Sequence, residues 1–207
     1  MTLLKETYIQ LLTSYTGNEQ LVGELWAEVE KNYSDKKRHY HTLQHLDNLL
    51  AQLTELKAEI QNRDAMLFTL YYHDIVYNAL RSDNEEKSAE LAEKRMKQLS
   101  VPGNTIALCK KQILATKTHV PSTNSDTNYF TDADLSILGQ PWEIYLQYYQ
   151  DIRKEYAIYP DLVYHPGRKK VLNHFLSMDR IYKTDLFYNK FEMPAKQNLQ
   201  KELELYG

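Results

Sequence analysis

Cysteine occurs once in the 207 residues, at position 109, so no disulfide can form within the chain and a reducing compartment is expected. Glycine and proline number six each, too few for the repeated tight turns of an all-β sandwich or barrel. No apolar run approaches the ~20 residues that a helix needs to cross a bilayer, so no membrane partner is expected. Neither sign of charge dominates: 25 Lys and Arg face 28 Asp and Glu, for a formal charge of −3. The basic stripe that tracks a nucleic-acid backbone is missing, which argues against such a partner. The opening Met1-Thr2-Leu3-Leu4-Lys5-Glu6 lacks the basic-then-apolar order of a secretory signal, so a cytoplasmic protein is expected. What the chain has in surplus is tyrosine, 17 in all. Its length suffices for one buried core without covalent staples, and a single domain over residues 1–207 is expected.

Apolar residues recur at helical spacing almost throughout, and no alternating run points to a strand. The expected fold class is all-α, a bundle of eight to ten helices. Thr2 caps a first helix whose stripe is Leu4, Tyr8, Leu11, Leu12 and Tyr15; Leu21, Leu25, Trp26 and Val29 mark a second. Leu43, Leu46, Leu49, Leu50, Leu53 and Leu56 mark a third. The stretch from about Asp64 to Tyr77 is apolar on most sides, as a central helix with neighbours all round must be. Asp83-Asn84-Glu85-Glu86 reads as a capping box opening a helix to about Leu99. A sixth helix starts at Asn104 or Thr105 and ends near Thr116. Residues 117–130 read as a polar, irregular loop, followed by a short helix from Asp132 to Leu138. Pro141 opens a long helix to about Tyr159, and Pro160, Pro166 and Gly167 punctuate before a helix from Arg168 to Ile181. A final surface helix is expected from Pro194 to Leu205.

The chemistry is concentrated in the histidines. Three of seven fall in His39-Tyr40-His41-Thr42-Leu43-Gln44-His45, and His41 and His45 would share one face if both were helical. His73-Asp74 sits on the most apolar helix of the chain, where such a pair is costly unless it is paired or bound to a cation. His119 follows the sixth helix, and Asp132 and Asp134 lie further on. Imidazole nitrogens with carboxylate oxygens suit a divalent ion such as Mn, Co, Ni, Fe, Zn or Mg. Mixed sets of this kind usually leave positions for water, as a catalytic centre does.

The ordered series of a His, a His-Asp doublet about thirty residues on and a late Asp on a helical chain resembles the HD superfamily of metal-dependent phosphohydrolases. The flanks Arg38-His39-Tyr40-His41, Tyr72-His73-Asp74-Ile75-Val76-Tyr77, Asp83-Asn84-Glu85-Glu86-Lys87-Ser88-Ala89, Ala115-Thr116-Lys117, Asp132-Ala133-Asp134-Leu135 and Ile152-Arg153-Lys154-Glu155-Tyr156 are similar to an uncharacterised branch of that superfamily. The similarity covers roughly residues 35–185, the expected core, with the terminal helices packed on it. It implies His45, His73, Asp74 and Asp134 as metal ligands. His41 competes with His45, or adds a further ligand or substrate contact, and Asp132 competes with Asp134. One ion is expected rather than two, because only His119 lies between the doublet and the late Asp.

The resemblance implies hydrolysis of a phosphate ester. The tyrosines, clustered as Tyr71, Tyr72 and Tyr77 around the doublet and again from Tyr145 to Tyr164, read mostly as core residues, and a subset able to stack on a base is the only hint of a nucleotide substrate. Asp74 or Glu85 would take a proton from the attacking water. Lys117 would offset phosphoryl charge, with His41, His119, Arg153 and Arg168 as substrate contacts. Glu86 is already explained as a capping residue. Two other classes compete: a metal- or nucleotide-binding module without turnover, and a two-iron oxygenase, which needs more histidines around the centre than His119 supplies.

Overall fold

Ten α-helices and one short 3-10 helix make up the computed structural model, which describes residues 2–206 and contains no strand among them. No helix among the described residues is long and apolar enough to cross a membrane. The chain gathers into two compact units, Met1–Thr131 and Asp132–Gly207.

The first unit comprises α1 (Leu3–Thr13), α2 (Glu19–Tyr33), α3 (Leu43–Glu55), α4 (Arg63–Tyr72), α5 (Asn84–Gln98), α6 (Gly103–Ala115) and the first turns of α7 (Ser125–Asp134). α4 is its axis. Every residue from Ala65 to Tyr72 is buried, and α4 packs against α1, α3, α5 and α6, as its all-round apolar pattern requires. Its polar atoms find partners: Tyr72 shares a 2.8 Å hydrogen bond with Tyr8, and Tyr71 donates to the Leu4 carbonyl at 2.8 Å. The start of α4 is fixed from two sides. Asn62 caps the Ala65 N–H at 2.9 Å, and the buried Asp126 carboxylate accepts from the N–H groups of Gln61 and Asn62 at 2.9 and 2.7 Å.

Three expectations fail here. α4 ends at Tyr72, so the His-Asp doublet lies just beyond the helix instead of within it. The capping box does not form: Asp83 accepts the Arg81 fork at 2.7 Å and makes no cap bond, while Glu86 pairs with Lys117. The loop expected over 117–130 is helical from Ser125. A clasp nucleates it: Asn128 bonds Ser122 through both its side-chain groups, and the Asn124 side chain accepts from the Thr127 N–H at 2.9 Å.

The second unit carries the end of α7, a 3-10 helix (Leu135–Gly139), α8 (Trp142–Glu155), α9 (Asp161–Ser177) and α10 (Asp185–Glu204). α10 is not the surface helix expected over 194–205. It starts nine residues earlier and buries Phe187, Phe191, Ala195 and Leu199. α9 likewise starts at Asp161, not Arg168, and both helices run through a proline, Pro166 and Pro194. Each proline orphans the carbonyl four residues back, but Leu162 and Lys190 are exposed, so water can take those bonds.

α10 lies against the 3-10 helix at Gly139, where an added Cβ would stand 2.6 Å from the Phe191 Cβ and 2.8 Å from its carbonyl oxygen. Gly139→Ala is therefore expected to destabilise the protein by about 1–3 kcal/mol, measured by urea unfolding, because backbone rather than a mobile side-chain tip blocks the space.

Candidate metal centre

Three elements of the first unit bring His45, His73 and Asp74 together. His45 lies in the first turn of α3, on its buried face. His73 caps the C-terminus of α4, where its N–H still bonds the Thr69 carbonyl at 2.9 Å. That end is the negative pole of the helix dipole and favours a cation. The chain then turns, and Asp74 faces back.

The donor atoms form a small triangle. His45 Nε2 and His73 Nε2 are 3.1 Å apart, His73 Nε2 is 3.0 Å from Asp74 Oδ2, and His45 Nε2 is 3.8 Å from the same oxygen. A triangle with those sides has a point roughly 2 Å from all three corners, the bond length of a first-row divalent ion to imidazole nitrogen or carboxylate oxygen. Protonation argues the same way. His73 Nδ1 lies 3.0 Å from the Leu70 carbonyl, which can only accept, so Nδ1 carries the proton. In the neutral ring Nε2 is then a bare lone pair, facing a carboxylate oxygen and a second imidazole. A cation between them removes that conflict, and the Nδ1–H to carbonyl bond is the support that metal-bound histidines usually have. The donor set therefore fits a divalent ion.

His41 lies in the turn before α3, not on it, so the shared helical face expected for His41 and His45 is not the reason they meet. Its Nε2 is nevertheless 3.8 Å from Asp74 Oδ2, and its ring lies 4.2 Å from that of Tyr77. Exposure rises across the cluster: His73 and His45 side chains are 1% and 5% exposed, His41 and Asp74 17% and 18%. Solvent thus reaches the donors from the His41–Asp74 side, where open coordination positions would face. Behind them the Phe130 ring meets His73 edge-on at 5.4 Å and keeps water out. Burial pushes the Asp74 carboxyl up, but positive charge on the imidazoles of His73, His41 and His45, when they are protonated, more than offsets this and holds it well below the usual carboxylate range.

No family model, curated protein or solved structure matches the chain.

The remaining candidates fall into three groups. Glu85 and Lys117 meet at 3.9 Å, where the first turn of α5 faces the end of α6. Lys117 is also bonded to Glu86 at 2.5 Å and to the Ser82 carbonyl at 2.6 Å. His119 is half-buried with a left-handed backbone (φ 53°), and its N–H bonds the Ala115 carbonyl at 2.9 Å to close off α6. Asp132, Asp134, Arg153 and Arg168 belong to the second unit. Asp132 is buried and accepts from the Lys183 and Thr184 N–H groups and the Thr184 hydroxyl, so it serves as a turn clamp. Asp134 is half-buried at the end of α7. Arg153 is engaged by Asp161 and the carbonyls of Tyr156 and Tyr159, and Arg168 by both oxygens of Glu202. Neither arginine has a free fork to offer a phosphate.

Sequence reasoning gave no role to Asn84 and Ser88, one turn apart on α5. Asn84 bonds the N–H and carbonyl of Asn78, and Ser88 those of Val76. Together they pin the loop that follows the doublet to the helix that carries Glu85.

Proposed function

We propose that this chain is a metal-dependent hydrolase of phosphate esters, with His45, His73, Asp74 and Asp134 holding the ion. One observation carries the reading: the His45–His73–Asp74 triangle, with the His73 lone pair aimed into it by the Leu70 carbonyl. A divalent ion bound there would supply a nucleophile at neutral pH and polarise a phosphoryl oxygen. The chain does the rest. The Leu70 carbonyl keeps the His73 proton on Nδ1. The Asp74 carboxylate stays ionised beside three imidazoles. Phe130 shields the inner side, so water and substrate approach past His41. Glu85 is the candidate to accept the proton of the attacking water, and Lys117 the cation to balance phosphoryl charge. The half-buried tyrosines Tyr40 and Tyr77, which flank His41, make nucleotides the first substrates to try.

The Lys117–Glu86 pair favours a second reading, a binding module without turnover, because it already satisfies the cation assigned to the phosphate. A screen of nucleotides and other phosphomonoesters with Mn, Co, Ni and Mg separates the two. Phosphate release that Asp134→Ala abolishes, together with metal content, is the expected result. Tight binding with no release would favour the module, and a metal content unchanged in Asp134→Ala would remove that residue from the ligand set.

A further inference from the structure

Arg38 is buried, 8% exposed, yet among the described residues no carboxylate pairs with it. Its guanidinium instead donates to three backbone carbonyls. Nη1 reaches Asp74 at 2.7 Å and His41 at 3.3 Å, and Nη2 reaches Ile75 at 2.9 Å. The rings of Tyr33 and Tyr77 hold it at 4.8 and 5.5 Å. A buried cation without a counter-ion is expensive unless carbonyl dipoles and ring faces replace water. This arginine has them at the one place where the His41 turn meets the turn after His73-Asp74.

We infer that Arg38 is a positioning residue of the metal centre: its fork locks the His41 segment to the Asp74–Ile75 segment and so sets the distance between ligand groups that no helix connects. The inference rests on the metal reading above. The residue type follows from the task. Two consecutive carbonyls and a third from another segment need a planar fork with several donors, and a lysine offers one point charge on a flexible stem. Asp74 lies beyond α4, in a turn closed by a 3.3 Å bond from the Ile75 N–H to the Tyr72 carbonyl, and the Arg38 fork braces that turn against the His41 segment.

The test is Co(II) titration of the full-length chain, freed of metal with a chelator, followed by the visible absorption of the bound ion. Arg38→Lys is expected to bind Co(II) at least tenfold more weakly than wild type, with unchanged helical circular dichroism and an altered absorption band. Arg95→Lys is the control. It removes an equally forked, half-buried arginine, bonded to Glu28, and is expected to leave Co(II) affinity within twofold. Tyr33→Leu strips one ring from the Arg38 guanidinium; a several-fold loss is expected there, which covers an Arg38→Lys chain that does not fold. Wild-type affinity in Arg38→Lys or Tyr33→Leu overturns the inference alone, as does an equal loss in Arg95→Lys. A wild-type chain that takes up no Co(II) overturns the metal reading and the inference with it.

Discussion

Under the proposed metal-dependent function, Asp74→Asn is expected to abolish divalent-ion binding and phosphatase turnover together while leaving the chain folded. The substitution keeps the shape of the side chain, so packing around the doublet survives. It removes the negative charge that sits 3.0 Å from His73 Nε2 and 3.8 Å from both other imidazoles. His73→Ala should have the same effect on metal, with an added cost of about 2 kcal/mol, because a buried ring beside Phe130 leaves a cavity. Lost second-sphere partners alone weaken metal sites by about 10–100-fold, so a lost ligand should exceed that. Elemental analysis of each variant after gel filtration, with circular dichroism to confirm folding, is the measurement. Full metal content in either variant means that the ligand assignment is wrong.

The meeting of His45, His73 and Asp74 was legible because these residues are unusual where they stand. A His-Asp pair at the end of an apolar segment has few bland explanations, and His45 falls on the buried face of a leucine stripe. What could not be read were the groups that hold the segments carrying this cluster in place. Arg38, Asn84 and Ser88 act on backbone carbonyls and N–H groups of distant segments. Such bonds leave no periodicity and no charge pairing in the sequence. Arg153 and Arg168 erred in the other direction. An arginine reads as a phosphate fork until a carboxylate comparably placed in space takes it, and Glu202 lies 34 residues from Arg168.

The same distinction separates the elements read correctly from those misread. The stripes of α1 to α3 follow from local spacing, and their helices form close to where expected, whereas α4 stops five residues short of Tyr77. Helix boundaries depend on competition between side-chain bonds. Asp83 was available as a cap, but Arg81 is two residues away and offers a charged fork, which a carboxylate binds more strongly than a backbone N–H. The Ser122–Asn128 clasp starts α7 inside what composition alone marks as loop. Pro166 reads as a break and Pro194 as the start of a helix because a proline inside a helix usually costs about 3 kcal/mol. Here the packing of α9 against α10, with Arg168 and Glu202 in the contact, holds both helices through them.

That contact yields the second large expected effect. Glu202 is fully buried on α10 and accepts Arg168 Nε and Nη2 at 2.8 Å each, the Tyr145 hydroxyl at 2.5 Å and the Tyr206 hydroxyl at 3.1 Å. Glu202→Ala leaves the Arg168 guanidinium buried without its counter-ion, which costs about 3–5 kcal/mol, and the Tyr145 hydroxyl without a partner, about 1–3 kcal/mol more. The chain's two tryptophans make the loss readable, since Trp26 lies in α2 of the first unit and Trp142 in α8 of the second, 5.7 Å from Tyr145. In a Trp26→Phe background, urea unfolding followed by Trp142 fluorescence should shift by at least the cost of the lost pair. The cause is tested by removing all the charges at once. Glu202→Leu with Arg168→Met and Tyr145→Phe fills similar volume with apolar groups, and should recover stability to within about 1 kcal/mol of the parent or surpass it, as replaced buried pairs often do. If the triple variant is as unstable as Glu202→Ala, the cost lies in shape rather than in an orphaned charge. If Glu202→Ala costs less than about 1 kcal/mol, water reaches Arg168 and the pair is not the brace of the second unit.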